Sequence, residues 1–196
     1  MAIKPLDDPI ALFRLWYADA HKTDLKLPSA VAMATADASG VPNVRMVLLK
    51  DVDERGFTIY TNLASRKARE LVANPTAALC FHWMPLARQV RVQGRVEQVT
   101  DAEADAYFAS RDRQSRIGAW ASKQSEPLTS TLELERRVAK YAAKFGVGDV
   151  PRPSFWSGYR IVPEIIEFWE ERPFRLHERL EYCRTDDGWA RQWLFP

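Results

Sequence analysis

The sequence is short of several residue types, and each shortage removes a class of function. Of 196 residues only two are cysteine, Cys80 and Cys183. They stand far apart and match no metal-ligand spacing, so they read as reduced thiols of a cytoplasmic protein rather than a disulfide framework. The three histidines, His21, His82 and His177, are isolated from one another, which leaves no zinc motif and no metal to expect. The eight glycines form neither G-x-G-x-x-G nor a P-loop, which argues against dinucleotide-binding α/β folds and ATPases. A G-x-S-x-G nucleophile elbow is also missing. No apolar run approaches the roughly 20 residues of a membrane span, and no signal peptide opens the chain. Basic and acidic residues nearly cancel, for a net charge of +2, so there is no electrostatic case for nucleic acid.

The composition that remains, 46% hydrophobic and 28% charged, suits one soluble domain spanning residues 1–196. Its organising stretch runs from Phe57 to Ala68. Phe57, Ile59 and Thr61 alternate with Thr58, Tyr60 and Asn62 as in a β-strand. Asn62-Leu63-Ala64 makes a turn, and Ser65 is an N-cap for a helix from Arg66. Arg66 and Lys67 sit in the first helical turn, where cations meet the positive end of the helix dipole. An N-cap hydroxyl and two cations at a helix start make a trap for an anion, a phosphate above all. A solvated surface Arg-Lys pair is the plain alternative.

In chain order, Asp7 or Asp8 can cap a first helix to about His21, with Pro9 in its first turn and an apolar stripe of Ile10, Leu12, Phe13, Leu15, Trp16 and Ala20. Strands at 30–36 and 44–50 read as a hairpin. The second is apolar on both faces over Met46 to Leu49, which predicts burial on both sides. Asn74-Pro75 ends the helix from Arg66, and strands follow at 77–83 and 89–99. In the latter, Val90, Val92 and Val96 oppose Gln89, Arg91, Gln93, Arg95 and Glu97. Thr100 to Glu103 is a capping box. If its helix runs on, Tyr107, Arg111 and Ser115 share one face, fit for a phosphate or carboxylate or else an ordinary solvated row. Residues 117–125 read as loop, and Ser130 to Glu133 as a second capping box for a helix to about Phe145. The last third returns to strands: 159–169, 175–184 and 189–194. Alternation there puts Arg175, His177 and Arg179 on one face, around a space for an anion. Phe155-Trp156 and Trp169 form an aromatic group for a core or a planar cofactor. About six short strands with inserted helices predict a mainly β (α+β) antiparallel, Greek-key-like barrel.

Taken together, Arg45-Met-Val-Leu-Leu-Lys50, Tyr60-Thr-Asn, Ser65-Arg-Lys67, Arg88-Gln-Val-Arg91, Tyr107-Phe108, Arg111, Ser115, Ile117-Gly-Ala-Trp120, Ser122-Lys-Gln-Ser125, Pro153-Ser-Phe-Trp156, Ile166-Glu-Phe-Trp169 and Arg175-Leu-His177 resemble the pyridoxamine (pyridoxine) 5′-phosphate oxidase family. They are collinear from about residue 30 onward, and a dozen motifs in order is specific. The resemblance implies a split β-barrel that binds flavin mononucleotide (FMN), acting as a homodimer with FMN at the subunit interface. It implies that Arg45, Ser65, Arg66 and Lys67 hold the FMN phosphate. Tyr60, Thr61, Lys50 and the backbone of Met46, Val47, Leu48 and Leu49 would lie along the flavin. Gln89, Gln124, Ser125, Trp169 and Arg179 would complete the site, some from the partner subunit. Lys50, Tyr107, Arg111 and Ser115 would take the substrate phosphate. Arg175 and His177 would cover and orient the pyridine ring as the catalytic pair.

The implied reaction oxidises pyridoxamine or pyridoxine 5′-phosphate to pyridoxal 5′-phosphate, with O2 as acceptor and H2O2 as product. A flavin oxidase of the phenazine pathway and a non-catalytic FMN or pyridoxal-phosphate carrier are the alternatives. The sequence departs from the family pattern at Leu27, at Asp112 of Arg111-Asp-Arg113, at Glu170-Glu-Arg-Pro173, at Glu178 and at the Trp193-Leu-Phe-Pro196 ending. No counterpart of the family's basic N-terminal segment precedes Met1.

Overall fold

The computed structural model describes residues 3–196. In order the elements are α1 (Pro9–Ala20), β1 (Ala30–Ala36), β2 (Pro42–Leu48), β3 (Asp51–Asp53), β4 (Gly56–Asn62), α2 (Arg66–Ala73), β5 (Thr76–Trp83) and β6 (Arg88–Gln98). There follow α3 (Asp101–Ser110), α4 (Arg113–Ala121), α5 (Thr131–Phe145), β7 (Trp156–Glu170), β8 (Glu178–Thr185) and β9 (Gly188–Leu194). All pairings are antiparallel. The strand path is β2-β1-β5-β6-β7-β4-β3, with β8 added on β7 and β9 on β8.

Two features turn this sheet into a split barrel. The ends of the path are almost consecutive in sequence. Leu49 N–H donates to Ser29 C=O beside β1, and Lys50 N–H donates to Thr58 C=O on β4, so residues 49–50 draw β2 and β3 together and curl the sheet closed. The second feature is the 15-residue β7. One edge pairs with β6 from residue 159 to residue 170. The other is divided: residues 156–161 pair with β4 and residues 165–170 pair with β8. Pro163 falls at the division, where its missing N–H costs no ladder bond. Opposite it the ladder slips at Gln93/Gly94. A Cβ on Gly94 would lie 1.9 Å from the Val162 carbonyl oxygen, so only glycine lets the strands approach this closely.

Helix α1 plugs the barrel end. Asp8 accepts bonds from Ile10 and Ala11 N–H as its cap. Phe13, fully buried, packs edge-on to Phe57 and Phe81 with ring centroids 4.8 and 5.0 Å away, and Trp16 meets Phe168.

Several expectations need correction. The strand around Met46 is a sheet edge, and Val44 and Met46 are 65% and 64% exposed. The apolar outer face is real, but none of the described residues covers it. The helix carrying Tyr107 stops at Ser110. Arg111 is extended, and Asp112 caps a new helix by accepting from Ser115 N–H, so Tyr107, Arg111 and Ser115 do not share a helix face. Residues 117–121, expected as loop, belong to α4. Arg175 and His177 precede β8 instead of lying on it. Phe174 and Arg175 form a turn with φ of 59° and 62°, so no strand alternation aligns them with Arg179. Trp156 and Trp169 lie at opposite ends of β7, about 40 Å apart at ~3.3 Å per residue. The strand count is nine, not six. Leu15, counted in the apolar stripe of α1, is exposed.

Candidate active site

The turn from β4 into α2 opens into a cavity of about 1120 Å3. The Asn62 side chain accepts from Ala64 N–H, which shapes the turn, and Ser65 begins the helix. The Ser65 hydroxyl makes no cap bond; it accepts instead from Lys67 Nζ at 3.3 Å. Lys67 Nζ also donates to Thr61 Oγ1 at 3.0 Å and to Gln124 Oε1 at 3.2 Å. Those partners are neutral. Among the described residues no carboxylate lies within ion-pair distance of this buried ammonium. Burial and the nearby Arg45 charge push its pKa down to about 8, with Glu70 opposing. A buried cation whose neighbours lower its proton affinity is a site prepared for an anion.

Arg45 and Arg66 stand beside it, and they are not free cations. Both donate to the buried Glu70 carboxylate, through Arg45 Nη2 and Arg66 Nε, each at 2.9 Å. Thr35 and Asn43 donate to the same carboxylate. Burial alone would raise the Glu70 pKa; the four donors outweigh it and hold it at about 2. Arg66, in the first turn of α2, is thus compensated one helical turn later, and Lys67 is not. Ser125 Oγ accepts from Arg66 N–H at 3.2 Å, which ties the 122–125 loop to the same helix start.

The cavity continues along an aromatic wall. Tyr60 stacks on Tyr107 with centroids 4.0 Å apart and on Trp156 at 5.4 Å. Gly158 makes room for it: a Cβ there would lie 2.8 Å from the Tyr60 ring. The Arg111 guanidinium lies over Trp156, 4.8 Å from the ring centroid. Its Nη1 is buried with no hydrogen-bond partner, and burial lowers its pKa. A buried guanidinium N–H without a partner, on a side chain that lines the cavity, marks a second place suited to an anion.

Of the residues singled out from sequence, Arg45, Met46, Val47, Leu48, Lys50, Tyr60, Thr61, Arg66, Lys67, Tyr107, Arg111, Ser115, Gln124 and Ser125 line this one cavity. Ser65 lies fully buried beneath it. Gln89, Trp169, Arg175, His177 and Arg179 do not join them. They gather near the far end of β7, where Trp169 pairs across strands with Gln89 and Arg179. His177 lies 4.7 Å from the Trp169 ring. Arg179 is bound there to Glu167 through Nε at 2.8 Å. Sequence reasoning passed over Glu70, which the Arg66-x-x-x-Glu70 spacing could have disclosed, and Gly158, flagged only by a glycine inside a strand pattern. It placed Trp156 in an aromatic group with Phe155 and Trp169, for a core or a planar cofactor; Trp156 alone of the two tryptophans lines this cavity.

A barrel split along one long strand, with two cationic positions and an aromatic wall lining one cavity, defines a split-barrel protein suited to anionic aromatic ligands. The sequence matches the family described as pyridoxamine 5′-phosphate oxidase over residues 17–145, and the pyridoxine 5′-phosphate oxidase C-terminal dimerisation region over residues 156–196. The chain belongs to the pyridoxamine 5′-phosphate oxidase family. A pyridoxine/pyridoxamine 5′-phosphate oxidase from Brucella canis is 59% identical over 96% of this chain and 94% of its own length. Among solved structures, PhzG from Burkholderia lata 383, in complex with tetrahydrophenazine-1-carboxylic acid, superposes with a TM-score of 0.93 at 32% identity, covering 98% of this chain and 95% of that one. A pyridoxamine 5′-phosphate oxidase-related, FMN-binding protein from Nostoc punctiforme gives a TM-score of 0.75 at 16% identity over 94% of this chain and 97% of that one, a likeness of fold. Among the described residues, no helix is long and apolar enough to cross a membrane.

Proposed function

We propose that this chain is an FMN-dependent oxidase converting pyridoxamine 5′-phosphate and pyridoxine 5′-phosphate to pyridoxal 5′-phosphate, as a cytoplasmic homodimer in vitamin B6 cofactor synthesis. O2 is reduced to H2O2, and the amine substrate also takes up water and releases ammonia. The observation that carries this reading is a pair of cationic side chains in one cavity, Lys67 and Arg111, neither with a carboxylate partner among the described residues, beside a wall of stacked aromatic rings. Two phosphorylated aromatic molecules need that arrangement; a single small metabolite does not.

The residues fit the groups assigned to them. Lys67, Arg45, Arg66 and Ser65 would hold the FMN phosphate, with Thr61, Gln124 and Ser125 fixing Lys67 and the helix start. Tyr60 and the β2 backbone would flank the rings. Arg111 would take the substrate phosphate with Lys50, Tyr107 and Ser115. Bound flavin supplies hydride acceptance from the substrate C4′ and passes the electrons to O2. The chain's part is to fix both phosphates and so orient the rings, converting binding energy into alignment. Gln89, Trp169, Arg175, His177 and Arg179 would reach a site only on a second copy, with Arg175 and His177 covering its substrate. The bare side chains of Phe174, Leu176, Trp193 and Phe195 near that group, inside the matched dimerisation region, support such an assembly. An aromatic carboxylic acid in place of the phosphorylated pyridine is less favoured, because 59% identity to the oxidases outweighs 32% to the phenazine relative.

The test is anaerobic addition of pyridoxamine 5′-phosphate to the purified yellow protein. Bleaching of the flavin band near about 450 nm, its return in air and the appearance of pyridoxal 5′-phosphate are expected. A bound flavin that stays oxidised refutes the substrate assignment.

A further inference from the structure

Glu70 stands where a carboxylate is least expected, within reach of the cations that should receive a phosphate. It is almost fully buried, and it gathers donors from three elements. Thr35 comes from β1, Asn43 and Arg45 from β2, and Arg66 from its own helix α2. The two arginines are held differently. Arg45 is fixed on three sides, with Nη1 donating to the Met33 carbonyl and to Thr35 Oγ1 and Nη2 to Glu70. Arg66, which lines the cavity, is held only by Nε, so both its terminal nitrogens stay available to a ligand. One carboxylate therefore sets the orientation of two guanidinium groups on separate elements, and it does so before any ligand arrives.

We propose that Glu70 is the positioning residue of the phosphate cradle, preorganising Arg45 and Arg66 and matching the cradle's charge to a phosphate dianion. Arg45, Arg66 and Lys67 carry three positive charges and Glu70 one negative. The sum is +2, against a phosphate monoester of about −1.5 to −2 at pH 7. This rests on the reading that the α2 end holds the FMN phosphate. The charged groups acting on Lys67 are Arg45 from β2, which disfavours its ammonium form, and Glu70 from α2, which favours it. Thr61, Ser65 and Gln124, which touch its Nζ, do not titrate in the range concerned. Glu70 therefore also keeps Lys67 charged to higher pH.

The test compares FMN with riboflavin, which has the same rings and no phosphate. Both are titrated into apo-protein from pH 6 to 9 by flavin fluorescence, for wild type, Glu70→Gln and Glu70→Asp, with melting curves recorded alongside. The expected result is that Glu70→Gln weakens FMN binding by about tenfold to a hundredfold, the loss of charge-assisted bonds at one group, despite its added net positive charge. Riboflavin binding stays unchanged, and the alkaline fall of FMN affinity moves to lower pH. Glu70→Asp, which keeps the charge but shortens the reach, weakens FMN binding less and leaves that alkaline fall in place. If the variants bind FMN as wild type does, or lose FMN and riboflavin alike, Glu70 is a structural residue only and the proposal fails. If the wild type itself prefers riboflavin, the phosphate reading fails, and this proposal with it.

Discussion

The buried ammonium of Lys67 offers the sharpest check on the cradle, because its cost is set by pH. Its pKa falls from an ordinary 10.5 to about 8, a displacement worth about 3 kcal/mol at 1.36 kcal/mol per unit. A lowered basic pKa means that between those values the unfolded chain holds a proton that the native apo-protein lacks. Stability therefore rises with pH through that window, and the penalty is fully present below pH 8. Lys67→Met removes the titrating group. Its advantage over wild type, whatever its absolute value after loss of the bonds to Thr61, Ser65 and Gln124, should shrink by about 3 kcal/mol between pH 8 and pH 10.5. At roughly 2–4 °C per kcal/mol for a chain of this size, the Tm difference changes by roughly 6–12 °C. Thermal melts of both apo-proteins across that range measure it, and other titrating groups cancel in the difference. An anion on Lys67 reverses the shift, so FMN should raise the Tm of wild type more than that of Lys67→Met at pH 7. A difference between the two apo-proteins that stays flat from pH 8 to 10.5 refutes the buried, uncompensated ammonium.

Other consequences follow from single contacts. Arg111→Ala should raise KM for pyridoxamine 5′-phosphate by about tenfold to a hundredfold with FMN affinity unchanged; an equal loss of FMN would move Arg111 to the cofactor end. Glu103 is held at about pH 2 by bonds from Thr100, against the cost of burial, and by Arg160. Its contribution is complete above the ordinary carboxylate pKa and vanishes as pH falls towards 2, so Glu103→Gln should cost about 2–3 kcal/mol at pH 7 and almost nothing near pH 2 by denaturant titration. Gly158→Ala drives a methyl into the Tyr60 ring and should cost about 1–3 kcal/mol while weakening FMN binding; unchanged binding would show that Tyr60 is not part of the flavin wall. Phe13→Ala empties the aromatic plug and should cost about 3–5 kcal/mol, read as a lower Tm with no change in FMN affinity once folded.

What could be read from the residues alone was what short range controls. The α1 start at Asp8, the capping box at Thr100 and the 30–36 strand are local chemistry, and each forms where the side chains dictate. The cation trap was legible for the same reason: Ser65, Arg66 and Lys67 are neighbours in sequence. Its compensation was legible only in part. The Arg66–Glu70 pair sits at helical spacing, whereas Arg45, Thr35 and Asn43 reach Glu70 through the β1–β2 hairpin, a relation no window of sequence contains. The broken helix at Arg111 follows from Asp112, which prefers to cap a new helix rather than continue the old one; Tyr107 and Arg111 still reach one cavity because the chain bends around Trp156.

The remaining error is of another kind. The outer face of β2 was read as buried because Met46 and Leu48 are apolar, and within one chain that inference fails: Met46 is 64% exposed. The apolar pattern is there, but none of the described residues buries it. The same holds at the other end of β7. Trp169, His177 and Arg179 are about 35 Å from Tyr60 along the strand, at ~3.3 Å per residue, too far to serve the cavity of their own chain. An apolar edge beside the cradle and a bare aromatic surface beside Arg175 and His177 are two unsatisfied halves. A second copy placed by two-fold symmetry would satisfy both at once, and the residues stranded in one chain would then complete the site of its partner.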